Sequence, residues 1–160
     1  MKKLIFTLLV IIAVQTSNAQ SSQLTEDQFR EKVTNEFQTN YNKTLTSFEN
    51  SMDYDIVKKN EKWNIYEFDN KRIFKIESKK NNTTFIETYY EVDGLLRYAQ
   101  EKEISFINTS DAIEWNCEYF LENGAVKTIM SLGHGKTERD DWDSSEVLTM
   151  YQKRKALLKQ

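Results

Sequence analysis

Residues 132–146 read Leu-Gly-His-Gly-Lys-Thr-Glu-Arg-Asp-Asp-Trp-Asp-Ser-Ser-Glu. They hold the chain's one histidine, two of its four glycines, three aspartates and two glutamates. Four chemistries are compatible with such a run. Gly135-Lys136-Thr137 after a strand has the ending of a phosphate-binding loop. That motif needs a further glycine five residues before Gly135, where Met130 stands, and a helix start free of acid. Residues 138–143 are acidic instead, which repels phosphate. Asp141, Asp143 and Ser145 alternate as the first ligands of a calcium loop do. The sixth and twelfth positions should then be glycine and glutamate, and they are Glu146 and Gln152. An irregular site for calcium or another divalent cation survives, on His134, Asp140, Asp141 and Asp143. A zinc-type site on His134 with Glu138, Asp140 or Asp141 is poor by ligand count, with one imidazole and no second thiol in the chain.

The fourth reading is structural. Gly133 and Gly135 turn the chain after a strand, Lys136 and Arg139 pair with nearby acids, Trp142 packs on the sheet, and Asp143 caps a following helix. A histidine between two glycines also suits recognition, so His134, Lys136 and Trp142 are the candidate ligand- or partner-binding residues. No serine sits in a nucleophile-elbow pattern, and no catalytic set is assigned. Glu101 and Glu103 fall on one face of a strand, as do Glu114 and Glu118. Both pairs read as solubilising acids. Cys117 is the only cysteine, so the monomer has no disulfide, and it reads as a small buried apolar residue.

The N-terminus carries an export signature. Lys2 and Lys3 precede an apolar run over residues 4–14, and Ser17-Asn18-Ala19 supplies small residues where a signal peptidase cuts. The run is about half of the ~20 residues that a membrane span needs. Residues 1–19 are therefore expected to be a cleavable signal peptide, and residues 20–160 a single soluble domain, periplasmic or extracellular. Without Lys2 and Lys3 the basic count falls from 22 to 20 against 25 acids, a net charge of −5. That balance argues against nucleic acid and anionic membranes as partners.

The elements that must position these residues are legible by period. Thr25 and Gln28 form a capping box, and Phe29, Val33 and Phe37 repeat every four residues. This predicts a helix to about Asn40, with a second, weaker helical segment to about Met52. From Trp63 the period shortens to two. Strands are expected over 63–68, 72–78, 83–92, 95–107, 112–121 and 125–132. Asp93-Gly94 and Asn123-Gly124 mark two-residue hairpins. Asp143 to the C-terminus returns to helix, with Val147, Leu148, Tyr151 and Leu158 on one face.

The resulting fold class is α+β: one or two N-terminal helices, a six-stranded antiparallel meander and a C-terminal helix. Several strands carry apolar residues on both faces. The sheet must be strongly curved, covered on both sides, or display an aromatic patch. The function this favours is a non-enzymatic envelope domain that binds a small ligand or an envelope protein, with no cofactor. The alternative is a metal-dependent or hydrolytic enzyme built around His134.

Overall fold

The computed structural model describes residues 24–46, 51–54, 60–106 and 112–158. The expected signal peptide lies outside the described residues. The fold is the expected α+β meander. Helix α1 (Glu26–Thr46) leads into seven strands and closes with helix α2 (Glu146–Leu157). The strands are β1 (Ser51–Tyr54), β2 (Glu61–Phe68), β3 (Lys71–Lys80), β4 (Thr83–Val92), β5 (Leu95–Phe106), β6 (Ala112–Glu122) and β7 (Ala125–Leu132). They form one antiparallel sheet in sequence order. The six expected strands are β2 to β7.

Two expectations are corrected. The second helical segment does not extend to Met52: α1 is one helix ending at Thr46, and Ser51–Tyr54 is a short edge strand paired with β2. Asn40 does not end α1, because its side chain is absorbed. It donates to the Glu36 carbonyl and to the buried Tyr90 hydroxyl. The expected helix start at Asp143 also moves, to Glu146 with Ser145 at the N-cap.

Short turns dictate the meander. Asp93 and Gly94 have φ of 54° and 76°, and Asn123 and Gly124 have φ of 53° and 81°. These are the positive values that a two-residue type I′ turn demands. At the start of α1 the capping box is closed in both directions. Thr25 N–H donates to Gln28 Oε1 at 3.0 Å, and Gln28 N–H donates to Thr25 Oγ1 at 3.3 Å.

The sheet is covered on both faces, which accounts for its surplus of aromatics. On one face Phe29, Val33 and Phe37 of α1 bury against Ile73, Tyr90, Tyr98 and Phe120. The Phe37 and Tyr98 rings stack at 4.5 Å. On the other face Val147 and Tyr151 of α2 join Trp63, Phe74, Tyr89, Trp115, Cys117 and Tyr119. Among the described residues, no helix is long and apolar enough to cross a membrane.

Two β-bulges tie α1 to the sheet. Tyr90 pairs with Tyr98 while Glu91 pairs with Leu96, so Arg97 is the extra residue. Phe120 pairs with Thr128 while Leu121 pairs with Val126, so Lys127 is the extra residue. A bulge re-aims its side chain and shifts the faces beyond it. Both cations turn onto the Phe29 ring, Arg97 at 5.3 Å and Lys127 at 4.3 Å from its centroid. Each also has an acid, Glu36 for Arg97 and Glu122 for Lys127. Phe29 is thus held from the sheet side by cation–π contacts as well as by burial. Phe29→Ala should lower stability by about 3–5 kcal/mol, read as a lower urea midpoint at unchanged slope. A loss below ~1 kcal/mol would mean that α1 is not docked through this ring.

Candidate functional site

The segment that the sequence singled out folds back over the sheet face that α2 covers. Gly133 follows β7 with φ of 80°, and a Cβ there would overlap the Glu114 carbonyl oxygen. A Cβ on Gly135 would sit inside the Trp115 indole. Both glycines are therefore required, the first by conformation and space, the second by space alone. Residues Lys136–Glu138 then make one turn of 3-10 helix. Trp115 Nε1 donates to Ser131 Oγ and Thr137 Oγ1, both at 3.2 Å, and those two hydroxyls meet at 2.9 Å. Lys136 reaches inward to the buried Glu101 carboxylate.

The chain next closes a tight turn before α2. Ser145 N–H donates to Asp143 Oδ1 at 2.6 Å, and Glu146 N–H donates to the Asp143 carbonyl at 3.0 Å. The Ser145 amide holds the Asp143 carboxyl below the usual aspartate range.

The three candidate recognition residues separate. Lys136 is turned into the sheet, and Trp142 packs against the α2-side core with its indole nitrogen buried and unpartnered. His134 points outward with its side chain 88% exposed, and its Nδ1 lies 2.6 Å from Glu138 Oε1. The candidate metal ligands separate too. Asp141 pairs with Arg139, Asp143 is bound to the Ser145 amide, and Asp140 is exposed on the turn. Among the described residues, no three His, Cys, Asp or Glu side chains converge as a metal-holding group.

What the structure does gather is a row of buried carboxylates beneath this segment. Glu87 and Glu91 on β4 and Glu101 on β5 are all buried. Each is met by a cation from the chain that follows β7. Arg154 Nε donates to Glu87 Oε2 at 2.9 Å, its Nη2 reaches Glu87 Oε1, and its Nη1 donates to Glu61 Oε1 at 3.1 Å. This two-pronged hold on Glu87 keeps the guanidinium charged more firmly than usual. Lys155 Nζ lies 2.9 Å from Glu91 Oε1, and Arg72 Nε donates to Glu91 Oε2 at 2.7 Å. Tyr151 donates its hydroxyl to the same Glu91. Burial and the carboxylate beside it push the Tyr151 phenol up.

Glu101 is less well served. Its Oε2 meets Lys136, but its Oε1 is buried without a hydrogen-bond partner, as is the Tyr119 hydroxyl. Burial raises its carboxyl above the usual glutamate range, Lys136 opposes that, and Glu87 adds to it. Cys117, directly opposite Glu101 on β6, is fully buried, and burial pushes its thiol up to about 11. A thiol so protonated near neutral pH is not a nucleophile.

At the hairpin end of the same face lies a polar hollow of about 220 Å³, lined by Glu67, Asp69, Asn70, Lys71, Arg72, Glu91 and Gly94. It is smaller than the roughly 300–1,000 Å³ of typical small-molecule pockets. Comparison of the chain with protein-family models, with curated proteins and with solved structures finds no match.

The buried acids were not picked out by the reading of the sequence, which placed Glu101 among solubilising residues. A signal was present. Glu87 and Glu91 share strand parity with Tyr89, and Arg154 follows Val147 and Tyr151 along one helical stripe. Charges of opposite sign inside two apolar patterns mark a buried pairing.

The loop geometry sets two contrasting expectations. Gly135→Ala should destabilise by about 1–3 kcal/mol, because the Trp115 ring has to move. His134→Ala should stay within about 0.5 kcal/mol, as surface changes do. Thermal unfolding of both variants checks this. Equal effects would contradict the division into an anchored base and an exposed tip.

Proposed function

We propose that this chain is an exported, non-enzymatic binding domain of the cell envelope that engages a protein partner through the tip of the loop at residues 133–138. The observation that carries the reading is the way His134 is held. Its imidazole stands out from the surface while every neighbour is fixed from below: Gly133 by Glu114, Gly135 by Trp115, Lys136 by Glu101 and Thr137 by Ser131. A rigidly mounted polar tip loses little entropy when it is captured. The core supports a protein partner over a small ligand. Aromatics pack both layers of the sheet, and none is among the exposed large hydrophobic residues of the described chain. Export rests on the charge, apolar run and small-residue site of residues 1–19.

A photo-crosslinking amino acid placed at position 134 tests this in the native host. Adducts to an envelope protein are expected from the exported chain at position 134, and none from the same group at Lys32 on α1. No adduct at 134, or equal adducts at both positions, would overturn the proposal.

A further inference from the structure

We propose that the seat of the 133–138 loop is a proton-linked latch: the docked loop holds the Glu101 proton to higher pH than an exposed glutamate would, and ionising that carboxyl loosens the loop from β5 and β6. The inference concerns the docking of the loop itself and holds whatever His134 engages.

The charge count under the C-terminal segment is the first support. Among the described residues, the cations paired with Glu61, Glu87 and Glu101 are Arg154 and Lys136. Arg154 is committed to Glu87 through two nitrogens and to Glu61 through a third. Lys136 reaches one oxygen of Glu101. Three carboxylates against two cations leave the patch one proton short of neutral.

Geometry places the missing proton on Glu101. Glu87 stands directly opposite it on β4, so two like charges face each other across adjacent strands. Besides Lys136, the Tyr119 hydroxyl favours the Glu101 anion as a donor, and together they do not outweigh burial and Glu87. The groups facing Glu101 from β6 are the neutral Cys117 thiol and Tyr119 phenol, and from β4 also Tyr89, whose hydroxyl already donates to Glu87. On its own strand Glu103 adds a further acid. An ionised Glu101 would bury a charged oxygen, Oε1, that makes no hydrogen bond in the structure and has Tyr119 as a neutral donor beside it, a costly arrangement. A protonated Glu101 removes the repulsion and gives Oε1 or its neighbour a hydrogen to share.

The sign follows from linkage. Burial raises the Glu101 carboxyl in the docked state, and this outweighs the opposing Lys136. The undocked loop would admit water to Glu101 and return its carboxyl toward the ordinary value. The docked state therefore binds the proton more tightly. The stability that Glu101 contributes is complete below the ordinary glutamate pKa, and it is lost as pH rises through the raised, folded-state value. Acidification closes the latch and alkalinisation loosens it. This is opposite to a simple ion pair, which would tighten as the acid ionised.

Carbon-13 carboxyl NMR on the mature chain tests the proposal, with the Trp115 indole N–H as reporter because it donates to the loop at Thr137. Glu101 is expected to titrate above the exposed Glu26, with the Trp115 indole peak moving at the same midpoint. Lys136→Gln should move the Glu101 midpoint higher still. Glu101→Gln should hold the indole peak at its acid position across the range. Titration of Glu101 together with Glu26, or an indole peak that does not follow Glu101, overturns the proposal. If Glu101→Gln does not fold, the wild-type and Lys136→Gln titrations decide it by themselves.

Discussion

Three carboxylates on one face of the sheet are buried, and each meets a cation delivered by the chain that follows β7. Apolar contact alone would let α2 slide or rotate over that face, because hydrophobic burial has no direction. Charge pairs taken out of water do have direction. Misplacing Lys155 by one helical turn would leave Glu91 with Arg72 alone, and misplacing Arg154 would leave Glu87 ionised without a cation. The effective penalty for such an isolated buried charge is several kcal/mol. The pairing therefore fixes where α2 lies more than how strongly it binds, while Val147 and Tyr151 supply the apolar attraction. The position of the 133–143 loop follows, since it spans the gap between β7 and α2 with Lys136 pinned on Glu101.

The α1 side is built on a different principle. Its helix docks through Phe29, Val33 and Phe37, and polar contacts are local additions. Tyr90 donates to Glu36 and accepts from Asn40, which satisfies its hydroxyl at the boundary of that core. Arg97 and Lys127 reach α1 only because each is a bulged residue. The sheet is thus held by shape and aromatic packing on one face and by the buried charge pairs at Glu87 and Glu91 on the other. The exposed His134 tip belongs to the charged face. Its rigidity is inherited from the glycine contacts and from the Lys136 anchor.

Much of this was legible in the sequence, and the limits have physical causes. The capping box, the helical stripe of α1 and the two turn dipeptides are local signals. Each is settled by residues within a few positions of one another, and each is found where it was read. Period two gave strand existence but not the coverage of the faces, because alternation cannot tell a second helix layer from an exposed patch. Asn40 and the threonines after it suggested a weak helix, yet burial of Asn40 on Tyr90 carries α1 on to Thr46. The seat of the loop was the least legible part. Glu87, Glu91, Glu101, Arg154 and Lys155 are far apart in the chain and look like ordinary surface charges one at a time. Only the register of the strands brings Glu87 opposite Glu101, and only the docking of α2 brings Arg154 to both Glu61 and Glu87. His134 is exposed, whereas Lys136 and Trp142, named with it as candidate recognition residues, face the sheet as the structural reading of the segment had them.

The measurement that bears most directly on this account is a double-mutant cycle on Glu87 and Arg154, read by urea unfolding of Glu87→Met, Arg154→Met and the double variant. If matched buried charge sets the docking of α2, each single change should cost about 3 kcal/mol or more. The double variant should then lose clearly less than the sum, with a coupling of roughly 0.5–3 kcal/mol. Losses that simply add, within about 0.5 kcal/mol, would contradict it and leave α2 held by its apolar stripe alone.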